Sequence, residues 1–370
     1  MLAITLIVVL FVSAIAAVEW WLGDVDSPSE FFVGVEFAYS GNVADLKALV
    51  DKVKDYTNLF VIGSIELTFN QTALDEASDY VTKAGLHLIV LFTDSYMYSY
   101  DIFDWIVEAK QKYGDNFLGI YRYDEPGGNQ LDMGPSLLIE SGTNYTNVAA
   151  NYTHALNLLV DYYKNFSEEV FTADYGLYWF DYKSQYTAVF TEFGWNHSRP
   201  VHIGLCRGAA NAHNKDWGAI VTWEYTHEPY LESGEELYDD LVLAYHNGAK
   251  YAVVFSYPVI GPYGILTEAH FDAIKDFWNY IHSNPREHGV IQGEIAYVLP
   301  QDYGFGFRSA EDKIWGLWEA DNLSAKVWSD VNVLLDQYGS HLDIVYSDPD
   351  TWDAVKSRYG QLFFWNETIR

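Results

Sequence analysis

Apolar runs rich in β-branched and aromatic residues recur along the chain, and most are followed by a segment of helical period. Eight such runs occupy 31–37, 58–63, 86–92, 117–125, 171–182, 186–195, 218–225 and 251–257. Runs that are apolar on both faces are what parallel strands look like when helices cover the sheet. The repeat is therefore β-then-α, and eight copies predict an α/β fold of the (β/α)8 TIM-barrel type. Two helix starts carry a hydroxyl cap three residues before a carboxylate, Thr72 with Asp75 and Ser233 with Glu236. The pattern conflicts with itself at one place. Only 183–185 separate the fifth and sixth runs, whereas parallel neighbours need a connection of about a dozen residues.

After Ser283-Asn284-Pro285-Arg286 the pattern restarts, and 294–299, 325–338, 342–346, 351–358 and 361–365 read as β-α-β-α-β. This predicts a small, incomplete α/β unit of flavodoxin-like type. The expected division is a leader or short anchor over 1–18, a barrel over 19–285 and the small unit over 286–370. A polar connection, 127–151, follows the fourth strand, and a connection of that length at the C-terminal face of a barrel is expected to serve function.

Composition adds an address and removes partners. Residues 2–18 are apolar apart from Thr5 and Ser13 and end in Ala14, Ala16 and Ala17 before Glu19, which reads as a signal peptide or a short anchor. Seven Asn-X-Ser/Thr sites, at Asn70, Asn144, Asn151, Asn165, Asn196, Asn322 and Asn366, agree with a secreted or cell-surface location. Cys206 is the lone cysteine, so no internal disulfide is available and packing must hold the fold. A formal charge of −31 repels nucleic acid and anionic lipid, leaving no membrane partner beyond the possible N-terminal anchor. Oligomeric state is not written in the pattern.

Several chemistries lack their anchors. The chain has no phosphate loop, no complete Gly-x-Gly-x-x-Gly and no Gly-x-Ser-x-Gly elbow, so neither a nucleotide cofactor nor a serine nucleophile is expected. The histidines lack ligand spacing, so no metal is expected either. Carboxylates at strand ends remain. Glu36 closes the first run, Asp94 the third, Asp124-Glu125 the fourth, Asp181 the fifth, Glu192 the sixth and Glu224 the seventh. In a barrel these positions converge on one cleft. Glycosidic cleavage needs two such groups, one protonated and one ionised, and crowded carboxyls separate their proton affinities. The competing reading for any one of them is a helix cap or an ion-pair partner.

The string Tyr121-Arg122-Tyr123-Asp124-Glu125-Pro126-Gly127-Gly128 narrows the choice. Asp124-Glu125-Pro126 at the end of a fourth strand resembles the Asn-Glu-Pro signature of the clan A glycoside hydrolases. The resemblance implies a retaining double displacement with Glu125 as acid/base and, in Val221-Thr222-Trp223-Glu224-Tyr225, Glu224 as nucleophile. Asp124 departs from the asparagine of that signature and places a negative charge beside Glu125, which favours its protonated form. Strict alternation puts Glu224 on a face with Thr222 and Ile220, and Glu125 with Tyr123 and Tyr121. It also sends Arg122 outward, where it needs an acidic partner or a shifted register.

Aromatic residues make up 17% of the chain, and Trp195, Trp223 and Tyr257 fall at strand ends, where ring faces can stack on sugar C–H surfaces. With Glu36, Asp94, Asp124, Asp181 and Glu192 they form the expected substrate-binding set. Two further stretches read as structural. The small residues of Arg207-Gly208-Ala209-Ala210 allow close helix-to-barrel packing, and Glu232 to Glu236 form a solvated first turn. The sequence thus predicts an extracellular glycoside hydrolase acting on oligo- or polysaccharide. The alternatives are a non-catalytic glycan-binding barrel and an inverting hydrolase that pairs Glu125 with Glu192 or Asp181.

Overall fold

The computed structural model describes Phe31–Ile369, so the segment read as a leader lies outside the described residues. Eight parallel strands close into a barrel in sequence order: β1 (Phe32–Phe37), β2 (Leu59–Ile62), β3 (His87–Phe92), β4 (Phe117–Arg122), β5 (Val170–Asp174), β6 (Ala188–Phe193), β7 (Asp216–Val221) and β8 (Tyr251–Phe255). β8 returns to β1 with Phe32 beside Tyr251 and Glu36 beside Phe255. Around them run α1 (Val43–Val53), α2 (Ile65–Thr68), α3 (Gln71–Lys83), α4 (Ile102–Tyr113), α5 (Pro126–Leu131), α6 (Tyr145–Lys164), α7 (Tyr178–Lys183), α8 (Arg199–His213), α9 (Gly234–His246) and α10 (Glu268–Ser283).

Inward-facing side chains fill the barrel. Phe171 and Phe190 stack at 5.6 Å, and both meet the Tyr251 ring in T-shaped contact, with Leu91, Tyr121 and Val253 in the same core. The barrel is thus a packed core with its free surface at one end. No helix among the described residues is long and apolar enough to cross a membrane.

Three expectations change. The fifth run is a strand only to Asp174, and its remainder is α7, buried along its length. A six-residue helix is too short to show a helical period, and this one supplies the missing crossover. Asn70, rather than Thr72, caps α3 by accepting the Ala73 N–H, and Asp75 instead accepts the Trp105 indole N–H at 2.8 Å. The connection 127–151 is partly helical, holding α5 and the start of α6.

β9 (Ile295–Leu299), α11 (Asn322–Tyr338), β10 (Leu342–Tyr346), α12 (Trp352–Arg358) and β11 (Gln361–Phe364) follow, with the three strands parallel in the order β10-β9-β11. This second sheet rests on α8. A Cβ at Gly204 or Gly208 would stand 2.7 Å from the carbonyl oxygens of Leu342 and Ile344, so those glycines admit β10 rather than the barrel. Arg207, buried between them, donates to Asp343 at 2.8 Å and to Asn247 at 2.7 Å. The helix therefore packs closely on two sides, on barrel strands β6 and β7 as its sequence suggested and, through its glycines, on β10.

Candidate active site

A cavity of about 270 Å3 opens at the C-terminal end of the barrel, lined by Glu36, Tyr121, Asp124, Glu125, Glu192, Trp195, Trp223 and Tyr257 among others. Each acid arrives by a local device. Glu36 sits near the end of β1, and a Cβ on Gly63 would stand 1.9 Å from its Oε1, so the glycine is what leaves room for the carboxyl. β4 stops at Arg122, and the left-handed φ values of Tyr123 (61°) and Glu125 (51°) break the strand alternation. Both Asp124 and Glu125 consequently line the cavity, while the Tyr123 hydroxyl leaves to donate to the Ser136 carbonyl. Non-glycine residues in this region carry strain, which concentrates at functional turns. The turn is braced from below by Asp174, whose carboxylate accepts the N–H groups of Gly127 (2.5 Å) and Gly128 (2.8 Å) at the start of α5.

The proton affinities of the four acids are pushed apart. Burial, then the charge of Asp124, raises Glu36 well above the carboxylate range. Burial, then Asp124, raises Glu125 to about 8. Glu192 is raised well above its usual value by burial and then by Glu125, whose carboxyl it hydrogen-bonds. Desolvation also raises Asp124, but the Tyr121 hydroxyl donates to it and opposes the shift. Asp124 is exposed at the cavity mouth, so water screens it and the hydrogen bond weighs more. Tyr121 is itself held, accepting the Ala173 N–H at 3.2 Å. Asp124 is thus the first of the four to ionise, and the touching pair Glu125–Glu192 retains a proton between them because like charges in contact resist joint ionisation.

Trp195, Trp223 and Tyr257 form the aromatic wall. Trp195 and Trp223 meet edge to face at 5.7 Å, and Trp223 and Tyr257 lie nearly parallel at 6.0 Å. The Trp223 indole N–H donates to the Tyr257 carbonyl at 2.7 Å, which fixes its ring plane. Arg199, in the first turn of α8, ties down the segments that carry these rings. It reaches Glu224 (3.2 Å), Glu232 (3.1 Å) and Asp240 (2.9 Å), and also the carbonyls of Gly194 and His197.

Three expected site residues are elsewhere. Glu224 is absent from the cavity lining and is paired with Arg199, because β7 ends at Val221 and the chain turns before residue 224. Asp94 pairs with Arg122 at 2.5 Å and is the acidic partner that this outward-facing guanidinium requires. Asp181 lies on α7, fully buried, where it accepts from Tyr152 at 3.1 Å and hydrogen-bonds Asp174. Burial raises it well above the carboxylate range, so it is a proton donor to a structural carboxylate. Glu232, expected in a solvated turn, is buried, and desolvation raises it to about 8. Tyr121 and Asp174 were missed. Tyr121 was legible as an inward strand position two residues before the acids, whereas Asp174 was hidden inside the over-long fifth run. Among the described residues no group of histidine, cysteine and acid side chains is arranged to hold a metal.

No known protein family matches the chain, and no curated sequence does. Among solved structures it is similar to an α-L-fucosidase from Vibrio sp. strain EJY3, at 11% identity and a TM-score of 0.40 over 67% of this chain and 46% of that one. It is similar to the pneumococcal virulence factor StrH at 10% identity and a TM-score of 0.44, covering 69% and 85% of the two chains. It is also similar to a D-psicose 3-epimerase at 8% identity and a TM-score of 0.38, covering 70% and 100%. The chain spans less than half of the fucosidase, and likeness at this level carries no argument about a reaction.

Proposed function

We propose that the protein is a glycoside hydrolase that binds one sugar ring in the acid cavity and cleaves the bond to the next group. The observation that carries this reading is the convergence of Glu36, Asp124, Glu125 and Glu192 in one aromatic-walled cavity, with Asp124 held by the Tyr121 hydroxyl and Glu125 in contact with Glu192. Glu125 or its partner Glu192 protonates the leaving oxygen, and Asp124, held by Tyr121, attacks the anomeric carbon. Glu125 keeps the acid/base role that its resemblance to clan A implies. Glu224 gives up the nucleophile role, since its carboxylate serves Arg199.

At about 270 Å3 the cavity is smaller than the roughly 300–1,000 Å3 of sites for drug-sized ligands, which suits a single ring. A cavity filled by the ring leaves no separate place for an attacking water. That favours double displacement, in which water enters only after the leaving group has gone. Neutral pyranosides suit the site, with the carboxyls bonding hydroxyls and Trp223 and Tyr257 covering the C–H face.

The test is a mechanism-based covalent glycosidase probe with mass mapping of the labelled peptide. The expected outcome is a label on Asp124, lost in Asp124→Asn and present in Glu224→Gln. A label on Glu224, or no hydrolysis of any aryl glycoside by the wild type, overturns the reading.

A further inference from the structure

A groove larger than the acid cavity lies elsewhere on the molecule. It has a volume of about 770 Å3 against about 270 Å3 and lies between α6 and the loops that follow β9 and β10. We propose that this groove is a second, non-catalytic binding site for a neutral oligosaccharide.

The warrant is a set of polar groups that nothing in the protein satisfies. α6 places Thr153 and Asn157 one turn apart on the same face. Thr153 Oγ1, Asn157 Oδ1, His213 Nε2 and Thr351 Oγ1 are all buried without a hydrogen bond, and all four residues line this one groove. Thr351 is only 8% exposed and Asp302 only 9%. The Asp302 carboxylate lines the same groove with no hydrogen bond or ion pair among the described residues. Orphaned buried polar groups are costly, and natural proteins rarely gather several in one place without a partner for them.

The chemistry of the set selects the partner. Asp302 and Asn157 Oδ1 can only accept, the two threonine hydroxyls can do either, and burial pulls His213 down to about 4, so it is uncharged at neutral pH. The cation at the groove, Lys183, is already engaged by Asp348 at 2.6 Å. An anionic ligand would therefore find no free counter-charge there. A ligand with many hydroxyl donors and no net charge fits, and the greater volume calls for several linked rings rather than one. The choice of a saccharide among polyols rests on the glycosidase reading, whereas the site itself does not.

The test uses the full chain and short neutral oligosaccharides of the malto-, cello-, manno- and xylo-series, titrated by calorimetry. Glu125→Gln, in the acid cavity, is expected to keep saturable binding of at least one series. Asp302→Asn removes the unpaired charge and suits the left-handed backbone at this position, and Ala150→Trp fills the groove from an exposed position on α6. Each is expected to weaken that binding at least about tenfold. Aryl glycoside turnover, with the bond cleaved in the acid cavity, is expected to remain in Ala150→Trp. Absence of saturable binding for every series overturns the proposal. So does binding that survives Ala150→Trp and is lost in Glu125→Gln. Groove binding in a wild type that hydrolyses nothing would leave this site standing and remove only the glycosidase reading.

Discussion

Glu125 and Glu192 touch, and the proton they share makes stability depend on pH in a predictable direction. Glu125 is raised in the folded protein from an ordinary 4.5 to about 8, so between those values the folded state holds a proton that the unfolded chain releases. Stability therefore falls as pH rises through that window, and the buried Glu232, also raised to about 8, adds to the slope. Glu125→Gln is expected to flatten the decline of the melting temperature between pH 5 and pH 8 and to change it little at pH 4. A melting curve for this variant as steep in pH as that of the wild type would contradict the shared proton. The same substitution removes a proton donor and is expected to lower kcat/KM by roughly a hundred- to ten-thousand-fold, least for substrates with good leaving groups. Chemistry at this scale was partly legible. Strand position told where Glu36 and Glu192 stand, whereas Asp124 and Glu125 lie past the end of β4 and face the cavity together only because left-handed residues break the alternation there.

At the scale of elements, the site depends on where strands stop. β4 ends at Arg122 and β7 at Val221, and the backbone beyond each departs from alternation. Extrapolating alternation to Glu224 failed for this reason, as did the expectation that Asp181 closes the fifth strand. Arg199 is the element-level part that no strand pattern announces, a first-turn residue of α8 that gathers three carboxylates and two loop carbonyls. Because it anchors the segments bearing Trp195 and Trp223, Arg199→Lys is expected to raise KM several-fold while kcat stays near the wild-type value. Lysine cannot reproduce the planar fork that reaches several partners at once. Steady-state kinetics on an aryl glycoside checks this, and an unchanged KM with a reduced kcat would show that Arg199 acts on the chemical step instead.

At the scale of the molecule, the second sheet is tied to the acid turn. Arg308 bridges Asp132 at 2.6 Å and Asp312, and its guanidinium stands over the Tyr175 ring. The Gln130 amide of α5 donates to the Trp315 carbonyl at 3.0 Å. Those contacts hold the helix that begins immediately after Glu125. We therefore propose that the segment over 286–370 is required by the barrel. A chain truncated at 285 would leave Arg207 without Asp343 and is expected to be insoluble or to melt well below the full chain. Removing one partner of a buried ion pair costs roughly 3–5 kcal/mol. Circular dichroism of the truncated chain, showing full barrel content and an unaltered melting temperature, would refute the dependence.

The order of the strands, the eight-fold repeat and the parallel second sheet follow from hydrophobic period and run length, because burial on both faces leaves a local trace in the chain. The pairing of charges does not. Which acid meets Arg122, Arg199 or Tyr121, and which two glutamates share a proton, depends on atoms brought together from positions far apart in sequence, at distances where a shift of one residue in a loop exchanges one partner for another. Only the closed tertiary structure decides that.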